Sequence, residues 1–111
     1  MSKYRKEMTT TVSIDGKWIP LGTKTICSAN ILKVEAGTNG IHGGDSGHGC
    51  RTYFSICDAG GTDLRVNALP DGIEIALGGD AELQTFIEAL TFAADTLKEM
   101  LDQSRGRKIV T

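Results

Sequence analysis

Apolar positions over the first seventy-odd residues recur mostly at steps of two, and those of the last thirty at steps of three and four. That change of period predicts strands followed by a helix. Val12 and Ile14 alternate within the threonine-rich stretch from Thr9, which reads as a strand. Asp15-Gly16 predicts a tight turn. Trp18 and Ile19 open a return strand that Pro20 and Gly22 are expected to interrupt. The next strand is expected over Thr25–Glu35. Ile26, Leu32 and Val34 share one parity there, and Cys27, Ala29 and Ile31 share the other. Neither parity is cleanly polar, so the strand reads as central and covered on both faces, with another subunit as a source of the second cover.

Arg51–Cys57 reads as a further strand, with Thr52, Phe54 and Ile56 on one side and Arg51, Tyr53 and Ser55 on the other. Gly60-Gly61 predicts a turn. Leu64, Val66 and Ala68 read as the inward parity of the next strand, leaving Asp63, Arg65 and Asn67 outward. Pro70-Asp71-Gly72 is a turn signal, and Ile73, Ile75 and Leu77 form the inward parity of the last strand. Turns this short require antiparallel neighbours, because a parallel crossover needs about a dozen residues or more.

Gly78-Gly79 ends the sheet and Asp80 reads as a helix N-cap. Leu83, Phe86, Ile87, Leu90, Ala93, Ala94, Leu97, Met100 and Leu101 then form an amphipathic stripe. A helix over 81–103 would be roughly 35 Å long at 1.5 Å per residue. It would outrun a strand of ~17–20 Å, so one end is expected to overhang the sheet or meet a partner. Phe92 lies off the stripe and reads as an exposed aromatic suited to such a contact. The predicted fold class is α+β: an antiparallel, meander-like sheet of about five strands packed against one long C-terminal helix.

The 111 residues, 40% hydrophobic and 23% charged, bound this to one globular domain spanning 1–111. The basic ends, 1–7 and 105–111, read as frayed. A net charge of −2 and a pI of about 5.6 give no electrostatic footprint for duplex nucleic acid. No apolar run reaches the ~18 residues that a membrane span needs. The basic start lacks an apolar signal core, and three cysteines do not make a disulfide framework. A reducing, cytoplasmic setting is the expectation, with Cys27 and Cys57 as buried thiols.

Composition changes the picture at one place. Six of the fourteen residues from 37 to 50 are glycine, and no regular element survives that density. Among them stand Asn39, His42, Asp45, Ser46, His48 and Cys50. His42, Asp45, His48 and Cys50 are candidate zinc ligands by type, though their spacing matches no common structural-zinc pattern. Amides such as those of Gly43 and Gly44 can form a nest for an anion. Arg51, Tyr53, Arg65 and Asn67 share the outward parity of their strands. If those strands are neighbours, they make a cluster suited to phosphate and to a stacked base. Gly-Asp-Ser-Gly at 44–47 resembles the nucleophile segment of trypsin-like proteases, but the chain is half the needed size and lacks distant triad partners.

The resulting expectation is a non-enzymatic protein that binds or sequesters a phosphate- or nucleotide-like anion. It is expected to be a homo-oligomer and to need no cofactor. Small phage-type proteins that sequester signalling nucleotides are similar in size and broad architecture. The alternatives are a protein–protein interaction module or inhibitor, and a metal-dependent hydrolase built on His42, Asp45 and His48.

Overall fold

The computed structural model describes residues 10–41, 43–44 and 49–106, with the side chains of 105 and 106 left aside. Six strands precede one helix: β1 Thr10–Ile14, β2 Lys17–Cys27, β3 Ile31–Thr38, β4 Thr52–Gly60, β5 Leu64–Leu69, β6 Gly72–Leu77 and α1 Asp80–Gly106. β1 to β4 form an antiparallel meander in chain order, and β5–β6 is a separate hairpin. The predicted α+β class and its long C-terminal helix therefore stand, with the strands divided between two sheets.

Asp15 and Gly16 both take positive φ, 53° and 80°, so the β1–β2 connection is a two-residue turn matched to strand twist. Pro20 and Gly22 do not interrupt β2, which runs unbroken for 11 residues. Pro20 is opposite Thr11 of the edge strand β1. Gly22 lies beneath the helix, where an added Cβ would stand 3.0 Å from the Thr96 methyl. Its missing side chain lets α1 approach the sheet.

The single strand expected over Thr25–Glu35 is two strands joined by a turn at Ser28–Asn30. Ser28 N–H donates to Asn30 O at 2.9 Å. Two-sided apolarity here reflects a reversal of direction rather than a doubly covered strand. Cys27 and Cys57 fall on the polar side of the sheet and are exposed, not buried. On that side Glu35 accepts from Thr23 Oγ1 at 3.0 Å and Ser55 Oγ at 3.4 Å, a half-buried polar cluster.

The core lies on the other side. Ile26, Leu32, Val34 and Ala36 of the sheet meet Ala89, Phe92 and Ala93 of α1. Phe92, expected off the apolar stripe, is fully buried at the centre of this contact. α1 thus turns a face of small and β-branched residues (Thr85, Ala89, Ala93, Thr96) around one large ring onto the sheet. Lys24 of β2 pairs with Glu88 at 3.1 Å and fixes one flank of the helix.

A buried polar node ties the far ends together. Asn30, 1% exposed, donates through Nδ2 to Thr62 Oγ1 at 2.9 Å and Thr85 Oγ1 at 3.0 Å. This joins the β2–β3 turn to the β4–β5 connection and to α1. Next to it, Asp58 Oδ1 accepts from the N–H groups of Gly60 and Thr62 at 2.8 and 3.0 Å. Those backbone bonds, Thr62 first, hold the Asp58 carboxyl below its ordinary value. A lowered carboxylate stabilises the fold above its unfolded-state value and stops doing so as pH falls through its folded-state value. Asp58→Asn is therefore expected to melt below wild type at neutral pH. The two curves should converge in strong acid, as followed by circular dichroism.

Candidate functional site

The predicted anion cluster is not assembled by the described residues. β4 and β5 belong to different sheets. Arg51 and Tyr53 lie on the parity of β4 opposite Phe54 and Ile56, whereas the hairpin lies against Phe54 and Ile56 themselves. Arg65 and Asn67 therefore stand across the sheet from Arg51 and Tyr53.

Arg51 also spends its donors within the fold. Its Nε bonds Asp15 Oδ2 at 2.7 Å, and one terminal nitrogen donates to Gly49 O and Cys50 O, each at 3.1 Å. This guanidinium clips the end of the glycine-rich segment to the β1–β2 turn, a fixed geometry that the planar fork suits. Arg65 is exposed and paired with Asp63 at 3.4 Å. Asn67 is exposed on the hairpin.

Asn39 belongs with Arg51. Asn39 N–H donates to Arg51 O at 3.3 Å, and Arg51 N–H donates to Asn39 Oδ1 at 2.9 Å. The pair closes the base of the glycine-rich segment. Gly40, at φ 88°, lies against Ser104, whose hydroxyl accepts from Ile41 N–H at 3.3 Å. The start of the segment is thus fastened to the last turns of α1. Gly43 and Gly44 are exposed, and Cys50 is half-buried. His42, Asp45, Ser46 and His48 lie outside the described residues, and with them the candidate metal set. Among the described residues, no group of three or more metal-capable side chains comes together.

The feature that the structure does assemble is apolar. Leu83, Ile87 and Leu90 of α1 are 58%, 55% and 44% exposed. With Ala94, Leu97 and Leu101 they recur at steps of four, three, four, three and four, the spacing of a coiled-coil seam. At 3.6 residues per turn this seam is centred roughly 130° round the helix from the sheet-facing residues. Glu88, tied to β2, marks the opposite flank. The seam therefore turns toward the β4 side.

That side is where the hairpin stands. Val66, Ile73 and Ile75 of β5–β6 face Phe54 and Ile56 of β4 across a groove of about 330 Å³. The inward parity predicted for these hairpin strands is thus largely open. Val66, Ala68 and Ile73 are exposed, with Ile73 at 63%, and Leu64 packs onto the core. The groove is lined by β4 and hairpin residues alone, and the exposed seam residues of α1 are a second open apolar surface.

Of the amphipathic stripe expected from the sequence, Ala93 and Leu97 pack on the sheet, while Leu83, Ile87 and Leu90 do not. The signal that separates the two faces was present. The helix carries more apolar positions than one sheet contact can bury, and only a subset keeps strict heptad spacing. The chain matches no protein-family model, no curated protein and no solved structure.

Proposed function

We infer that this protein is a protein–protein interaction module acting through an apolar trough made up of the exposed residues of the α1 seam and of the β5–β6 hairpin. One observation carries the reading. α1 has two apolar faces, buries one against its own sheet and leaves Leu83, Ile87, Leu90 and Ala94 of the heptad-spaced one exposed, with Leu97 of that face packed onto the core. An exposed seam of leucine and isoleucine is costly in water, at roughly 25 cal/mol per Å² of apolar surface, and a partner surface removes that cost. The anion-binding expectation draws less support, because Arg51 is committed to internal bonds and Arg65 lies on a separate sheet.

The test places a photoreactive phenylalanine analogue at Ile73 or Ile87, and at Thr25 on the solvated sheet face as control. Irradiation in a lysate of the source cells is expected to yield adducts of discrete mass at the first two positions only. Equal yields at all three positions, or none in the trough, would remove the reading.

A further inference from the structure

We propose that the seam of α1 is covered by the same seam of a second copy, laid antiparallel about a two-fold axis at Leu90. This rests on the trough being an interaction surface and names its occupant.

The argument is one of register. In an antiparallel pair centred on Leu90, a residue n positions after it meets the residue n positions before it on the partner helix. Leu83 then opposes Leu97, and Ile87 opposes the step at Ala93-Ala94. Leu101 opposes Gly79, just before the helix begins. Ile87 thus meets alanine and Leu101 meets glycine on both sides of the centre, while Leu83 meets Leu97 and Leu90 meets Leu90. A parallel pair would instead set Ile87 on Ile87 and Ala94 on Ala94, crowding one level and hollowing another.

Charge selects the same arrangement. Asp80 and Lys98 are both exposed and are separated by five turns, so they lie on one rim of the seam. Neither makes an ion pair among those found in the described residues. In the antiparallel register Lys98 stands within two positions of the partner's residue 80, on the same rim. The two-fold axis makes that Asp80–Lys98 contact twice. A parallel pair would carry the two copies of Asp80, and of Lys98, to opposite rims of the seam and would make neither opposite-charge contact. An unrelated helix would have to reproduce this spacing and this charge order; a second copy carries both by construction.

The experiment uses the full chain and sedimentation equilibrium. Wild type is expected to sediment as a dimer at micromolar concentration. Leu90→Arg places two like charges at the axis and is expected to weaken association about 100-fold, with far-ultraviolet circular dichroism unchanged. Asp80→Lys and Lys98→Asp should each weaken self-association by about tenfold. Mixing the Asp80→Lys chain with the Lys98→Asp chain should restore dimers, now mixed, because each rim contact again joins opposite charges. This arm decides the matter even if Leu90→Arg fails to fold.

A dimer indifferent to Leu90→Arg, or no recovery on mixing, overturns the antiparallel seam. A monomer at every concentration that still gives trough adducts with another protein overturns the second copy and leaves the interaction reading standing. A monomer without trough adducts removes both.

Discussion

Gly37→Ala is expected to unfold this protein or to cost about 3 kcal/mol or more in urea titration, a large part of the stability of a small domain. An alanine Cβ at this position would overlap Pro20 O and would stand 2.9 Å from both Pro20 C and Leu21 Cδ2. Two of those three atoms are backbone, so no rotamer change relieves the contact. Gly37 is in β3, where it pairs with Tyr53 of β4, and strand β2 presses on it from the other side. To make room, β2 and β3 would have to part at the segment that also holds Ile19 and Leu21, both buried. Gly72→Ala is the control. An added Cβ there meets nothing within 4 Å, and Gly72 is not among the glycines of positive φ. That variant should match wild type or gain slightly by restricting the unfolded chain. If Gly37→Ala melts with Gly72→Ala, the close approach of β2 to β3 is wrong.

The strand-to-helix order, the Asp15-Gly16 turn, the β5–β6 hairpin and the span of α1 were legible in the sequence because each rests on local pattern. Turn residues and periodicity act over a few positions, so they survive without knowledge of the rest of the chain. The failures share a different cause. Ser28 and Asn30 are turn-prone types but lack the stronger glycine or proline signal; the reversal is fixed where Thr62 and Thr85, far away in sequence, accept the Asn30 amide. The strands of Arg51 and Arg65 follow one another in the chain, which suggested neighbours, yet they stand in different sheets. Parity fixes which side of a strand a residue takes and not what stands opposite. α1 failed in the same way. Its stripe is amphipathic, and a helix packed on a sheet usually buries its largest side chains. Here small residues, Phe92 and part of Leu97 form the buried face, and Leu83, Ile87 and Leu90 are left outside. The glycine-rich segment, expected to hold no regular element from 37 on, begins inside β3, whose last residues are Gly37 and Thr38. What the structure adds is its fastening at Asn39, Gly40 and Arg51.

Asn30→Asp is expected to be the most damaging isosteric change in the protein, and its pH dependence to be diagnostic. Asn30 is effectively sealed from water, and its side chain meets two threonine hydroxyls as a donor. Both hydroxyls have already committed their own protons. Thr62 Oγ1 donates to Ile31 O at 2.8 Å, and Thr85 Oγ1 donates to Glu82 O at 3.2 Å. The site therefore requires two N–H donors from residue 30, and the buried Oδ1 has no partner among the described residues. Aspartate removes both donors and adds a charge facing two oxygens. An uncompensated buried charge costs about 3–5 kcal/mol at neutral pH. Burial raises the folded-state value of such a carboxyl above its unfolded-state value. The folded state then holds its proton longer, so the loss is smallest at or below the unfolded value, near pH 4, and grows as pH rises toward the folded one. Asn30→Leu isolates the other component. It gives up the two hydrogen bonds but also removes the unpartnered oxygen, and both threonines keep their donor bonds to the backbone. Its cost should be nearer 1 kcal/mol and flat with pH. Urea unfolding of both variants between pH 4 and pH 8 decides the point. Equal losses for the two, or an Asn30→Asp penalty that does not shrink in acid, would mean that residue 30 is reached by water and that the node does not bind the two turns to α1.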